Sequence, residues 1–247
     1  MAIHDFTSER LFVDADLAEG ASVELSHEQA HYLLNVLRMA PGGELLVFNG
    51  RQGEWRGRLE DVTKRSAQLS ISHRTGTQTP GPPIHYLFAP LKHARLDYMV
   101  QKAVELGVAR LSPVMTRRTV PGRVNIERMR LNAIEAAEQC GVLRVPEIDD
   151  VAVLAKTLEA WDPSIRLIFC DEEAPVKDPV AALAALTPGV PVAVLIGPEG
   201  GFDEQERRLL LSRPFVVPLS LGPRIMRADT AAIAGLTLVN ATLGDWR

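Results

Sequence analysis

Val190-Pro-Val-Ala-Val-Leu-Ile196 runs directly into Gly197-Pro-Glu-Gly-Gly-Phe202, and Asp203 follows. A short apolar run closed by glycine reads as a strand buried on both faces, and its proline stands at the early end, where a strand tolerates one. Asp203 is placed to cap a helix, with Glu206 at the capping-box position. The stretch is therefore strand, glycine loop, helix. Three glycines in five residues let the backbone approach a ligand closely or take positive φ. A tight turn that needs glycine for geometry alone is the plain alternative. No Gly-Lys-Ser/Thr follows, and the spacing is not Gly-x-Gly-x-x-Gly, so neither a Walker loop nor a dinucleotide fingerprint is present.

Outward from this unit, strands and helices alternate. Ile84–Ala89, Ala109–Met115, Arg166–Cys170 and Phe215–Leu219 read as strands. Leu96, Met99, Val100, Ala103 and Val104 recur at helical spacing, with Gly107 as a left-handed C-cap. Asn125 can cap a helix to Cys140, ended by Gly141. Asp178-Pro179 opens a helix through Leu186, and Thr230–Leu243 is a last helix rich in Ala and Leu. Such alternation predicts an α/β domain: a mostly parallel sheet with helices on both faces. Ligands in such sheets bind beyond the C-terminal ends of the strands.

Before residue 75 the pattern is different. Glu44–Phe48 is a short apolar run stopped by Asn49-Gly50, a hairpin signal, and Trp55–Val62 and Ser66–Ile71 alternate weakly. One helix interrupts them, with Ser26 and Gln29 as a capping box and Ala30, Leu33, Leu34 and Leu37 as its apolar stripe. A small β-barrel over 1–75 is expected. Thr75–Pro83 is rich in Gly and Pro and has no apolar residue besides its prolines, which marks 76–83 as a linker and 84–247 as the second domain.

The 247 residues are 46% apolar, which excludes bulk disorder, and no apolar run is long enough to span a membrane. Met1–Phe6 has no basic start followed by an apolar core, so a cytoplasmic location is expected. Two cysteines, Cys140 and Cys170, make neither a disulfide framework nor a four-Cys zinc site, and no His/Cys/Asp cluster suggests a metal. A net charge of −4 argues at first against a nucleic-acid partner, but it averages unlike segments: −3 over 1–83, +5 over 84–145, −7 over 146–215 and +1 over 216–247. The basic segment contains Lys92, His93, Arg95, Arg117, Arg118, Arg123, Arg128 and Arg130. It is the expected phosphate-contacting face, and Arg10, Arg38, Arg56 and Arg58 extend it into the barrel. His31, His73 and His85 read as structural or surface residues.

A second strand end has unusual composition: Leu219-Ser-Leu-Gly-Pro-Arg-Ile-Met-Arg-Ala-Asp-Thr230. It offers apolar side chains for a ring or thioether, free backbone amides, and two cations, Arg224 and Arg227. Asp229 or Thr230 is the expected N-cap of the last helix. Together with Leu195–Phe202, this segment resembles the motif pair of the RsmE family, the 16S ribosomal RNA uracil-N3 methyltransferases of the SPOUT superfamily. His31-Tyr-Leu-Leu-Asn-Val-Leu-Arg-Met39, Gln101-Lys-Ala-Val-Glu-Leu-Gly107 and Ala136-Ala-Glu-Gln-Cys-Gly141 agree with it, so the resemblance spans nearly the whole chain. The family usually has Glu where this chain has Asp229, and Ile-Leu or Val-Leu where it has Ile225-Met226.

The resemblance implies a PUA-like RNA-binding barrel, a C-terminal SPOUT domain with a trefoil knot, and a homodimer. It implies S-adenosylmethionine held by Leu195, Ile196, Gly197, Glu199, Gly200 and Gly201 on one wall and by Leu219, Leu221, Gly222, Ile225 and Met226 on the other, with Cys170 and Asp171 reaching its ribose or amino-acid part. Arg224 and Arg227 then stabilise charge on the uracil oxygens, and Asp229 serves as base or as an arginine-orienting partner. Lys92, Arg95, Arg117, Arg118 and Arg123, with Arg10 and Arg38, contact 16S rRNA or the small ribosomal subunit. A SPOUT enzyme acting on another RNA such as tRNA, and a non-catalytic RNA-binding assembly factor, are the competing readings.

Overall fold

The computed structural model describes residues 5, 7–63, 66–120, 122–175 and 178–246. The N-terminal stretch examined for a secretory signal lies, apart from Asp5, outside the described residues. Two compact units are present: Met1–Thr79 with Ala137–Arg144, and Pro80–Ala136 with Val145–Arg247.

In the first unit, β1 (Arg10–Phe12), β2 (Ser22–Glu24), β3 (Glu44–Phe48), β4 (Glu54–Glu60) and β5 (Gln68–Gly76) form a curled sheet in the order β1-β3-β4-β5-β2. Among the described residues of this unit only the β1–β3 pair is parallel. Leu11, Leu33, Leu45, Val47, Leu59 and Ile71 fill its interior. Gly57 is required there, because a Cβ would lie 2.8 Å from Val47 Cγ2. β5 continues through Gly76, which pairs with Glu54. The Gly/Pro stretch thus begins while the ladder is still being made, since Gly76 still has a strand partner.

Helix α1 (His27–His31) has the expected capping box: Ser26 Oγ accepts from Gln29 N, and Gln29 Oε1 accepts from Ser26 N. It does not continue as a regular α-helix. Tyr32–Val36 is a π-helical turn, Leu37 N donates to Tyr32 O at 3.0 Å, and Arg38 then takes φ +54°. The wider turn still buries Leu33 and packs Leu34 and Leu37 partly against the core.

The second unit carries β6 (Ile84–Phe88), α2 (His93–Glu105), β7 (Arg110–Met115), α3 (Ile126–Cys140, its last turn in the first unit), β8 (Glu147–Ile148), β9 (Ala152–Val153), α4 (Leu154–Glu159), β10 (Arg166–Cys170), α5 (Pro179–Ala184), β11 (Val192–Ile196), α6 (Glu204–Leu211), β12 (Val216–Leu219) and α7 (Ala228–Thr242). Its strands run β12-β10-β11-β6-β7-β8, with β9 also on β7, and every pairing among the described residues is parallel. β11 is buried along its whole length, as its unbroken apolar run predicts. Leu87, Leu167, Phe169, Leu195, Leu210 and Phe215 belong to one core cluster.

Caps fall where the residues place them. Asn125 Oδ1 accepts from Arg128 N, Asp178 from Ala181 N, and Asp203 and Glu206 form a reciprocal box. Gly107, at φ +72°, closes α2. The last helix departs from expectation. Its N-cap residue is Arg227, with no side-chain cap bond, and neither Asp229 nor Thr230 caps it. Asp229 lies in the first turn, where its carboxylate accepts from Arg95 Nε at 2.9 Å and from Thr230 N at 2.8 Å.

Candidate functional site

Three parallel strands, β10, β11 and β12, end side by side, and the loops that leave them surround a cleft. Its volume, counted out to open solvent, is about 880 Å3. The loop after β11 depends on its glycines. A Cβ on Gly197 would meet Phe202 Cε2 at 2.4 Å, and Phe202 is itself fixed edge-on against Phe169 with ring centroids 5.0 Å apart. Gly201 takes φ +67°, and Gly222, in the facing loop after β12, takes φ +112°.

The cleft brings together most of the residues expected to hold a cofactor. Ile196, Gly197, Glu199 and Gly201 line one side, and Leu221, Gly222, Ile225 and Met226 the other. Leu195 and Leu219 are wholly buried at the strand ends and support the loops from beneath. Gly200 faces a different cleft. Ile225 is 92% exposed, the largest apolar surface on the lip. Cys170 and Asp171 close the floor at the end of β10. Burial pushes the Cys170 thiol up to about 12, so it is a neutral wall at physiological pH.

Beyond Asp171, sequence reasoning missed the far end of this cleft. Arg207, on α6, donates from Nε to buried Asp171 Oδ2 at 2.9 Å and lies 3.4 Å from Glu173 Oε2. Glu172 and Glu173 line the same end. The run Asp171-Glu-Glu173 directly after a strand was the available signal. The pairing with Arg207, 36 residues away, had none.

Of the expected catalytic residues, Arg224 lines the cleft, and Arg227 stands exposed at the start of α7. Neither side chain makes an ion pair or hydrogen bond with any described residue. Asp229 is different. Arg95 Nε donates to its Oδ2 at 2.9 Å, and Arg95 Nη2 lies 2.9 Å from Oδ1. This clamp holds the Asp229 carboxyl below the usual carboxylate range, since the hydrogen bond from Arg95 outweighs the opposing effect of burial. It raises the Arg95 guanidinium correspondingly. Arg95 Nη1 also pairs with Glu199 Oε1. Arg95, expected on an RNA face, thus joins α2 to the glycine loop and to α7.

The remaining basic residues divide by what they already bind. Lys92 and Arg123 are exposed and line a second cleft. Arg118 lines it too and donates to the Gly200 carbonyl at 2.9 Å. Arg117 donates to Asp203 at 3.0 Å and to Gln205. Arg128 is bidentate on Asp97. The side chain of His93 lies outside the described residues. In the first unit Arg38 is exposed. Arg10 is not available: its side chain is 9% exposed, bound to Glu54 at 3.1 Å and to the Asp5 carbonyl. Arg10, expected on the RNA surface, has these donors committed within the chain. Arg56 is likewise paired with Asp5 and Ser8. Among the described residues, no group of three or more His, Cys, Asp or Glu could hold a metal, and no helix is long and apolar enough to cross a membrane.

Comparison with known proteins gives the site its context. Residues 78–240 match the family described as RNA methyltransferase domain, and residues 25–72 the one described as RNA methyltransferase PUA domain. The Ribosomal RNA small subunit methyltransferase E of Rickettsia conorii is 28% identical over 93% of this chain and 94% of its own length. That of Synechocystis sp. is 30% identical over 95% of this chain and 78% of its own. A Ribosomal RNA small subunit methyltransferase E from Neisseria gonorrhoeae, solved bound to S-adenosyl methionine, superposes with a TM-score of 0.86 at 27% identity, covering 97% of this chain and all of that one. A Legionella pneumophila chain solved with bound SAM gives 0.85 at 31% identity, over 96% of this chain and 99% of that one. With both domains matched in order and relatives aligned almost end to end, the chain belongs to the ribosomal RNA small subunit methyltransferase E family of RNA methyltransferases.

Proposed function

We propose that this protein transfers a methyl group from S-adenosylmethionine to N3 of a uridine in 16S rRNA of the small ribosomal subunit. The observation that carries this reading is the cleft beyond β10, β11 and β12, with Arg224 lining it and Arg227 exposed at the start of α7. Its residues suit the donor. Ile196, Leu221 and Met226 offer apolar walls for an aromatic base, exposed loop backbone offers amides for its edge, and Glu172 and Glu173 offer anions for a cationic ligand. When bound, S-adenosylmethionine supplies an electrophilic methyl on a sulfonium.

The chain's own residues do the rest. Uracil N3 carries a proton, which is released to solvent water, and the nitrogen becomes nucleophilic only as negative charge develops on the ring. Arg224 and Arg227 stabilise that charge, and a preorganised donor of this kind is worth roughly 2.7–4 kcal/mol. Asp229 acts through Arg95. A carboxylate held below its ordinary range is poorly matched to proton removal near neutral pH, where a base is most effective. The domain over 1–75, through Arg38, and the exposed Lys92, Arg118 and Arg123 hold phosphates of a single-stranded or splayed segment, because N3 is hidden in a base pair. The protein works in the cytoplasm as a homodimer.

Mass spectrometry of 16S rRNA from a strain lacking the gene, with and without complementation, tests the reading. Loss of a single N3-methyluridine that returns on complementation is expected. Methyl transfer to tRNA and not to purified small subunits overturns it, as does RNA binding with no transfer.

A further inference from the structure

The loop after β11 has a second side. Pro198 and Glu199 line the cofactor cleft, and they also line a neighbouring one, about 1130 Å3 when counted out to solvent, between the start of α2 and the segment leading into α3. This second cleft is apolar at its base, where Leu96, Met115 and Met129 lie, and its charged lining is mostly cationic: five Lys or Arg against two carboxylates, a formal +3. Two of those seven charges, Arg128 and Asp97, neutralise each other. An apolar floor ringed by cations suits a flat heteroaromatic ring joined to phosphates.

The wall shared with the cofactor cleft carries a donor beside an acceptor. Arg95 is held from one edge by Asp229, which fixes the guanidinium, and its free edge pairs with Glu199 through Nη1. Glu199 is 61% exposed, so its half of the arrangement is solvent-screened and easily exchanged. A uracil ring presents a carbonyl acceptor next to the N3–H donor. Arg95 Nη1 complements the carbonyl, and the Glu199 carboxylate complements N3–H. Cytosine presents a lone pair at N3, which a carboxylate repels.

We propose that this second cleft binds the target uracil, with Arg95 and Glu199 reading its imide edge and so setting uracil over cytosine. The proposal rests on the methyltransferase reading of the first cleft and deepens it: N3 then lies at the partition common to both clefts. Glu199 is a specificity-determining residue in this scheme, and Asp229 a positioning one.

The chain's methionines make the test. Met115 and Met129 line the second cleft, Met226 the first, and Met99 and Met39 neither. The full-length protein, with isotope-labelled methionine methyls, is titrated by NMR with uridine 5′-monophosphate, cytidine 5′-monophosphate and, separately, S-adenosylmethionine. The uridine nucleotide is expected to shift Met115 and Met129 and leave Met226 in place, with the cytidine nucleotide at least about tenfold weaker. In Glu199→Gln, whose amide can both donate and accept, the two nucleotides come within about twofold of each other. Val120→Trp, at a position 65% exposed on the rim, blocks the uridine response while S-adenosylmethionine still shifts Met226. A uridine nucleotide that moves only Met226, or no methionine, overturns the proposal, as does unchanged discrimination in Glu199→Gln. Failure of S-adenosylmethionine to shift Met226 instead overturns the reading of the first cleft, so the two failures are distinct.

Discussion

Replacing Asp229 by Asn tests whether this carboxylate orients Arg95 or removes a proton. The two Arg95–Asp229 contacts are each 2.9 Å, with side chains 30% and 17% exposed. Fully exposed pairs contribute about 0–1 kcal/mol, and hydrogen bonds to charged groups about 1.5–3. The partial burial places this pair at about 1–2 kcal/mol. Asn keeps the shape and one acceptor, so Asp229→Asn costs about 1 kcal/mol, and Asp229→Ala about 2. At about 2–4 °C per kcal/mol for a chain of this size, thermal denaturation shows a fall of about 2–4 °C for Asn and about 4–8 °C for Ala. In steady-state methyl transfer, a positioning role predicts a loss of about tenfold in kcat/KM for Asn, with an unaltered pH profile; a general base would lose about a hundredfold to ten-thousandfold and its acid limb. The sign of the pH effect is fixed. Asp229 has a lowered carboxyl pKa in the folded protein, so its contribution is complete above the ordinary value of about 3.9 and is lost as pH falls through the folded value. Nothing in this pair changes between neutrality and about pH 5. An Asn variant with unchanged Tm and abolished turnover, or with its acid limb removed, refutes the reasoning.

Arg227→Ala should cut kcat by about tenfold or more, with Tm within about 1 °C of the parent because the side chain has no partner to lose; full activity removes Arg227 from the mechanism. Gly197→Ala forces a methyl to 2.4 Å from the Phe202 ring. Its cost is about 1–3 kcal/mol, with loss of S-adenosylmethionine binding by calorimetry, and normal binding shows that the loop need not hold its shape. Cys170, its thiol pushed up to about 12 by burial, resists iodoacetamide near pH 8, and rapid alkylation found by peptide mass spectrometry contradicts that environment. Arg10→Ala leaves Glu54 without its guanidinium partner and should lower stability by about 2 kcal/mol without changing the salt dependence of RNA binding; the opposite pair of results returns Arg10 to the RNA surface.

The parts of this protein that sequence makes legible are those specified by neighbours in the chain. Ser26 with Gln29, Asn125, Asp178 and Asp203 with Glu206 each bond within three residues. The burial of β11 follows from its own composition. The last helix shows where this ends. Asp229 has the chemistry of a cap, yet it lies inside the first turn and binds a guanidinium 134 residues earlier. Arg10 and Arg118 are equally basic on paper, yet Glu54 buries one and the Gly200 carbonyl leaves the other facing a cleft. The π-helical turn at Tyr32–Val36 is invisible for the same reason, since the Ala30, Leu33, Leu34, Leu37 spacing fits a regular helix and the widening satisfies a tertiary core. Strands as short as β8 and β9, two residues each, exist only because β7 is beside them.

The strand order has a consequence for how the protein is made. β6 lies between β7 and β11, and β11 between β6 and β10. During synthesis Ile84 leaves the ribosome 108 residues ahead of its sheet partner Val192. At about 5–20 residues per second that interval is roughly 5–20 s. For that time one edge of the nascent sheet, apolar on both faces, waits for the strand that also carries the glycine loop. The first side of the cofactor cleft and the sheet's central pairing are thus supplied by the same few residues, late in translation, and a chain interrupted before Ile196 lacks both at once.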